Sequence, residues 1–315
     1  VGAVLLREGE VVGEGWHAEF GGPHAERMAL EQAGVRARGA TAVVTLEPCA
    51  HQGKQPPCAP ALIAAGVRRV VAAAADPNPE AQGGGALLRA AGVEYQVGVL
   101  GEEAARLNAP FFHQFQDGER PWVALKLATS ADGGIAGGDR RRRQLSGPDA
   151  QLWVHWLRAG FDAIGVGGAT AMADDPALTV RGALAPRVAP TRVIFAGRTP
   201  LPPSLRLMRE KLPPVIVLDG AAGDDAALAA GLRRLRHEGN IGSLLVEGGG
   251  RLAAALVRGG HLDRFYWIQT PHLLGAEAVP AFPGLPGAPE LLPGEWQETE
   301  RKSLGEDTLH VMERV

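Results

Sequence analysis

The chain has 315 residues and 45% hydrophobic content, enough for about two globular domains with a core each. A net charge of −3 and a sequence pI near 6.3 leave no broad basic field, which disfavours sequence-independent nucleic-acid binding. No apolar run reaches membrane-spanning length and no signal peptide opens the chain, so a cytoplasmic protein with no membrane partner is expected.

The pattern starts with a hairpin, strands Val1–Leu6 and Glu10–Gly15 around Glu8-Gly9. A helix is expected over Ala25–Ala33, a short buried strand over Ala42–Thr45, and a second helix over Cys58–Ala65, stopped by Gly66. Strands Arg69–Ala73 and Val93–Val97 follow, with a helix near Gly85–Ala91 between them. Strands joined by helical crossovers predict a mainly parallel sheet covered on both faces. The segment Leu107–Pro121 holds Asn108-Ala109-Pro110, an aromatic cluster and a polar turn, and reads as a domain boundary. It sets domains at 1–118 and 119–315.

Beyond it a second alternating pattern runs through strand Trp122–Thr129, helix Pro148–Ala159, strands Ala163–Gly167, Arg192–Phe195 and Val215–Leu218, and helix Ala226–Glu238. Strand Ser243–Glu247, helix Arg251–Arg258 and strand Arg264–Gln269 complete it. No internal repeat is visible, and the Pro/Gly-rich stretch Pro280–Pro293 reads as an extended surface connection. The chain opens on Val1 rather than Met and reads as strand at once, so the natural protein is expected to begin earlier.

Both cysteines lie in one stretch, Glu47-Pro48-Cys49-Ala50-His51-Gln52-Gly53-Lys54-Gln55-Pro56-Pro57-Cys58, with His24-Ala25-Glu26 upstream. Thiolate and imidazole are ligands zinc prefers, and three of them leave a fourth position open for water. A Glu two residues after the His is placed to move protons between that water and a leaving amine. His24 and Cys58 both fall at helix starts, where the macrodipole favours thiolate. The common deaminase signature has two residues between its cysteines, whereas eight separate Cys49 and Cys58, which argues against an ordinary cytidine or transfer-RNA deaminase. Two blander readings stand beside the catalytic one: a Cys49–Cys58 disulfide, and a structural zinc closed by His17 or His51.

In the second half, Val246-Glu247-Gly248-Gly249-Gly250 follows a strand and opens a helix. Such glycines let backbone N–H groups approach a phosphate, although a Gly-rich turn is often only a turn. It is not the Gly-x-Gly-x-x-Gly of a dinucleotide-binding strand-turn-helix.

With these residues in hand, the chain resembles the bifunctional riboflavin-biosynthesis deaminase/reductase family from Val1 to about Gly275. The resemblance rests on Gly13-Glu14-Gly15-Trp16-His17, Gly22-Pro23-His24-Ala25-Glu26, the long cysteine loop and Asp76-Pro77-Asn78-Pro79. Farther on it rests on Leu125-Lys126-Leu127, the run Ala173–Arg181, Val246-Glu247-Gly248-Gly249 and Leu273-Leu274-Gly275. It implies an α/β chain: a cytidine-deaminase-like αβα domain, truncated at its start, then a dihydrofolate-reductase-like α/β domain. It implies two activities on one small-molecule precursor, a pyrimidine ribosyl phosphate: zinc-dependent removal of the 2-amino group, then NADPH-dependent reduction of the ribosyl chain to ribityl. By resemblance His24, Cys49 and Cys58 bind zinc and Glu26 is the proton shuttle. His51, Lys54, Asp76 and Asn78 line the pyrimidine and phosphate pocket. Arg158, Leu178, Arg181 and Glu247 contact the substrate of the reductase. Ala128, Gln144, Thr170, Asp174, Gly249 and Gly250 face NADPH. A homo-oligomer without nucleic-acid partners is expected.

The chain departs from the family pattern at several places. A Pro-Asn-Pro segment and a helix that usually precede the first Val-Gly are absent, and Gln55 stands where Thr is common. Gln144 replaces a usual Trp at the cofactor wall, Gly134 a Lys or Arg, and Ala196 a usual Asp. The run Arg140-Arg141-Arg142-Arg143 replaces a mixed polar loop, either as a solvated loop or as an attractor for the cofactor's 2′-phosphate. Two rival readings follow: a deaminase whose second domain is a degenerate scaffold, and a nucleic-acid base deaminase.

Overall fold

The structure, a computed structural model, describes residues 1–19, 21–116, 118–139, 143–182, 186–210, 215–222, 224–285 and 296–314. Arg140, Arg141 and Arg142 of the basic run lie outside the described residues, as do residues 286–293 of the Pro/Gly-rich stretch. The chain forms two units, Val1–Gln116 and Asp117–Val315.

The first unit runs β1 (Gly2–Arg7), β2 (Glu10–Trp16), α1 (Ala25–Ala33), β3 (Thr41–Leu46), α2 (Cys58–Ala64), β4 (Arg69–Ala74), α3 (Gly84–Ala90), β5 (Glu94–Val97), α4 (Gly101–Leu107) and α5 (Ala109–Gln116). Its sheet has the order β2-β1-β3-β4-β5. The expectation of a mainly parallel sheet is corrected: β1 is antiparallel to both β2 and β3, and only the β3–β4 and β4–β5 pairings are parallel. The cause is local. Glu8 and Gly9 both take left-handed backbone, φ 54° and 85°, which returns the chain as a tight hairpin. The α1 crossover then lays β3 on the far side of β1, parallel to β2 and therefore opposed to β1.

Helix α1 buries Ala25, Glu26, Ala29 and Ala33. That alanine face lies so close to β2 that a Cβ at Gly13 or Gly15 would collide with the carbonyl of Ala29 or Ala25. The Gly-x-Gly of β2 is thus a close-approach device that seats the helix carrying His24 and Glu26. Within the segment Leu107–Pro121, α5 occupies residues 109–116. Pro110 falls in the first turn, where a missing N–H costs nothing, and Phe111 and Phe115 meet edge-to-face at 5.3 Å along the helix.

The second unit runs β6 (Trp122–Thr129), β7 (Gly134–Ala136), α6 (Pro148–Ala159), β8 (Ala163–Gly167), α7 (Gly168–Asp174), β9 (Thr191–Phe195), α8 (Arg206–Arg209) and β10 (Val215–Leu218). It continues α9 (Asp225–His237), β11 (Ser243–Glu247), α10 (Gly250–Arg258), β12 (Arg264–Gln269), β13 (Val279–Pro280), β14 (Trp296–Leu304) and β15 (Asp307–Arg314). The large sheet has the order β10-β9-β8-β11-β6-β12-β15-β14. It is parallel from β10 to β12, and β15 and β14 add an antiparallel hairpin at one edge.

Leu125 and Leu127 of β6 enter a core with Leu244 and Val246 of β11, Phe265 and Trp267 of β12, Leu252 of α10, and Leu228, Leu232 and Leu235 of α9. Each such leucine contributes about 1.5–3 kcal/mol through burial. The alternate residues Lys126 and Ala128 point to the opposite face, because side chains switch sides at every strand position. The Pro/Gly-rich stretch is not wholly a surface connection: Ala281 and Phe282 are 3% exposed and belong to the same core. Among the described residues no helix is long and apolar enough to cross a membrane.

Candidate functional site

In the first unit three elements converge. His24 sits at the N-cap of α1, Cys49 on the loop after β3, and Cys58 at the first position of α2. The Nδ1 of His24 lies 3.5 Å from the Cys49 sulfur and 3.4 Å from that of Cys58. The ligand atoms of these three residues all fall within 4.8 Å of one another. Both cysteines are free, so the disulfide alternative is not realised. Among the described residues no fourth His, Cys, Asp or Glu joins the group. His17 turns its Nδ1 to the Pro23 carbonyl oxygen at 3.0 Å and meets the His24 ring edge-on, and His51 stands apart from the ligand set. The closed structural site is therefore not assembled.

The donor set fits zinc. A hydrogen bond from Cys58 and one from His24 pull the Cys49 thiol well below its ordinary range, against the cost of burial. The same Cys49 contact, with burial second, drives Cys58 well above the ordinary thiol range, and the hydrogen bond to Cys49 raises His24. Two sulfurs and an imidazole thus share protons that a bound dication displaces. Glu26 is 4% exposed, and burial pushes its carboxyl up; Cys58 is its hydrogen-bond partner.

The wall of this pocket is a network of side chain to backbone bonds. Asp76, 6% exposed, accepts the Asn78 N–H at 2.9 Å, and burial raises its carboxyl. Asn78 Oδ1 accepts the Glu80 N–H at 3.1 Å, and the Ala81 carbonyl accepts the Ala50 N–H at 3.2 Å. Ala81 then packs on Cys49 and Cys58. His51 leaves a buried Nδ1 with no partner, an acceptor or donor held ready for a polar ligand. Lys54 is exposed on the cysteine loop with its stem 3.7 Å from where a Gly21 side chain would begin, and Gln55 Nε2 donates to the Gly21 carbonyl at 2.7 Å.

In the second unit β8, β11 and β6 lie side by side, and parallel sheets take ligands at the carboxyl ends of such strands. Arg158 of α6 and Glu247 at the end of β11 make a two-pronged pair, 2.5 and 2.6 Å, with side chains 13% and 12% exposed. Arg158 also donates to the Thr179 carbonyl at 3.0 Å. Burial alone raises Glu247, but Arg158 and then Lys126 outweigh it and hold the carboxyl low.

Lys126, paired with Glu247 across the ladder, is a member that sequence reasoning left without a role. Burial pushes its ammonium down, and Arg158 pushes it further. The signal was present: one lysine in the apolar strand Trp122-Val123-Ala124-Leu125-Lys126-Leu127 is a charge with a task. His155, also missed, accepts the Arg181 backbone N–H at 3.2 Å, and burial lowers it.

The remaining residues fall into two groups. Gly248 and Gly249 take φ 75° and 88°, and a Cβ at Gly249 would lie 3.0 Å from Thr170 Oγ1, so Thr170 and the glycine turn form one cradle at the start of α10. Ala128 and Asp174 are half-buried on β6 and α7, and Gly250 is buried. The others serve differently. Arg181 reaches His155 only through its backbone while its side chain is exposed. Leu178, 3% exposed with φ 49°, packs with Ile164, Val166 and Ile194, leaving its backbone to shape the loop. Gln144 is exposed and folds back on Ser146, donating to its carbonyl at 3.2 Å and its hydroxyl at 3.1 Å.

Comparisons with known proteins agree with this geometry. Residues 1–74 match the family model of the cytidine and deoxycytidylate deaminase zinc-binding region, and residues 121–310 that of the RibD C-terminal domain. The chain is 38% identical over 316 residues to the riboflavin biosynthesis protein RibD of Escherichia coli, covering 90% of this chain and 85% of that one. It is 37% identical to the Aquifex aeolicus protein of the same name, covering 100% of this chain and 92% of that one. A Thermotoga maritima crystal structure, a diaminohydroxyphosphoribosylaminopyrimidine deaminase/5-amino-6-(5-phosphoribosylamino)uracil reductase, superposes with a TM-score of 0.86 at 32% identity, covering 100% of this chain and 91% of that one.

Proposed function

The chain belongs to the RibD family of riboflavin-biosynthesis enzymes, zinc-dependent deaminases joined to NADPH-dependent reductases, and on that premise we propose how each unit divides the work among its residues. The first removes the 2-amino group of a diaminopyrimidinone ribosylamino 5′-phosphate by hydrolysis. The second reduces the ribosyl chain of that product to ribityl with NADPH. The observation that carries the reading is the meeting of His24, Cys49 and Cys58 beside a buried Glu26.

His24, Cys49 and Cys58 hold the zinc, which as a Lewis acid supplies an activated water. Glu26, hydrogen-bonded to Cys58 but not itself a ligand, would take a proton from that water and give one to the departing amine. Asp76, Asn78 and the unpartnered Nδ1 of His51 bind the polar edge of the pyrimidine, and Lys54 offers its ammonium to the 5′-phosphate.

In the second unit NADPH supplies hydride when bound. The cradle of Gly248, Gly249, Gly250 and Thr170 takes its phosphates, with Ala128, Asp174 and Gln144 along the same pocket. Arg158 and Lys126, fixed by Glu247, hold the ribosyl phosphate in a water-poor crevice, Arg181 adds an outer cation, and Leu178 shapes the loop between them. Two free cysteines and the absence of a basic field support a cytoplasmic enzyme acting on a small molecule rather than on nucleic acid.

Incubation with the diaminopyrimidinone phosphate, with and without NADPH, followed by mass analysis, tests both halves. Deaminated product should form without NADPH and be reduced with it. Unchanged substrate sinks the first assignment. Deaminated product that persists with NADPH makes the second unit a scaffold.

A further inference from the structure

Asp132 follows β6 and has no part in the sites described above. Its carboxylate accepts the Leu274 N–H, 3.1 Å to Oδ1 and 3.2 Å to Oδ2, and the Gly275 N–H at 2.7 Å to Oδ2. These donors belong to the loop after β12, the Leu273-Leu274-Gly275 run. The same two loops are joined by the Ala131 N–H to the His272 carbonyl at 2.8 Å. Just beyond the joint each loop becomes one strand of a small ribbon, β7 against β13. The ribbon in turn presses on the cofactor cradle. A Cβ at Gly250, the first residue of α10, would lie 2.9 Å from the Ala281 carbonyl oxygen and 3.0 Å from that of Pro280. Gly134, at the start of β7, has equally little room, since a Cβ there would lie 2.7 Å from Ala278.

We propose that Asp132 is a positioning residue for NADPH, latching the loop after β12 to the turn after β6 and so setting the β7–β13 ribbon against the glycine turn that opens α10. The proposal rests on the assignment of that turn to the dinucleotide phosphates. A carboxylate suits the task because its two oxygens receive both backbone N–H groups in charge-assisted bonds, roughly twice as strong as those a neutral amide oxygen makes. Ser130 first, then the Leu274 and Gly275 amides, hold it at about 2, so it stays charged and the latch closed at every working pH.

Asp132→Asn keeps one acceptor, and Asp132→Ala keeps none. Hydrogen exchange of the Leu274 and Gly275 amides, measured without nucleotide, should quicken from wild type to Asn to Ala. The KM for NADPH should rise in the same order, to about tenfold in Ala, as loss of a charge-assisted hydrogen bond implies. At saturating NADPH, kcat and the KM for the pyrimidine substrate should stay within about twofold. A merely structural role predicts the reverse split, with kcat falling alongside the melting temperature at constant KM, and that result overturns the proposal. So does an unchanged NADPH KM in a variant whose amides have opened. If Asp132→Ala does not fold, Asp132→Asn decides by the same criteria. Wild-type protein that binds no NADPH counts against the reductase assignment instead; the latch then stands or falls on amide exchange alone.

Discussion

The two pockets keep their chemistry in different places. The deaminase pocket keeps it in side chains: an imidazole, two thiols and a carboxyl, each a residue type that few other tasks require. The reductase pocket, as proposed above, draws on its scaffold as well, on a left-handed glycine turn beside a charge cluster from β6, α6 and β11. The first should therefore fail abruptly when one atom changes. The second should fail in degrees everywhere but at Glu247, because backbone donors survive most substitutions and a neighbouring cation can partly replace a lost one.

The largest effect is expected at the metal ligands. Cys58→Ala should abolish stoichiometric zinc and deamination together, since two ligands do not hold a site built for three, while NADPH reduction of supplied deaminated substrate continues. Elemental analysis that still finds about one zinc per chain breaks the contrast at its root. Next is Glu26→Gln, which keeps shape and removes the proton carrier. Deaminase turnover should fall by roughly 10²-fold or more with zinc intact. Turnover within a few-fold of wild type would remove Glu26 from the mechanism.

The contrast also explains what could be read from the sequence. His24, Glu26, Cys49 and Cys58 were legible as chemistry, and the helix that carries the first two was legible to the residue. The core strands of the second unit were legible too, because buried strands such as Ser243–Glu247 are short apolar runs. The hairpin β14–β15 was not, because an edge strand such as Trp296–Leu304 is mostly polar on both faces and carries no apolar alternation. Nor was the antiparallel half of the first sheet, which follows from where a crossover lands. Lys126 stood in a quoted motif, but its role emerged only when the sheet register set it beside Glu247.

In the reductase pocket, Glu247→Ala should give the largest loss. It strands Arg158 and Lys126, both largely buried, and removing one partner of such a pair costs about 3–5 kcal/mol. Lower melting temperature and a sharp loss of reductase activity should appear together, with deamination in the other unit retained. A titration effect sharpens the same cluster. Burial depresses Lys126, so its charge is lost on raising pH before the ordinary lysine value of about 10.4 is reached. Reductase kcat/KM should therefore fall on an alkaline limb below that value, and Lys126→Arg, which stays protonated, should move the limb upward. A limb that does not move takes Lys126 out of the cluster's work.

The smallest expected effect is a gain, and it sets the limit of the comparison. Where relatives are expected to carry an aromatic at the cofactor wall, this chain has Gln144, exposed and folded back onto Ser146. The Ser146 carbonyl keeps the Gln151 amide as a donor at 3.1 Å when Gln144 is replaced, so the loss of these bonds costs little. An indole at that position can stack on a planar ring, and such contacts are worth about 1 kcal/mol beyond their burial. Gln144→Trp should therefore tighten NADPH binding by about fivefold. Deamination should not change, and kcat of reduction should change little, because a wall contact made equally before and during hydride transfer alters binding alone. Isothermal titration of wild type and variant decides. Equal affinities would mean that the wall position no longer faces the nucleotide, and that the scaffold carries its binding without any side chain there.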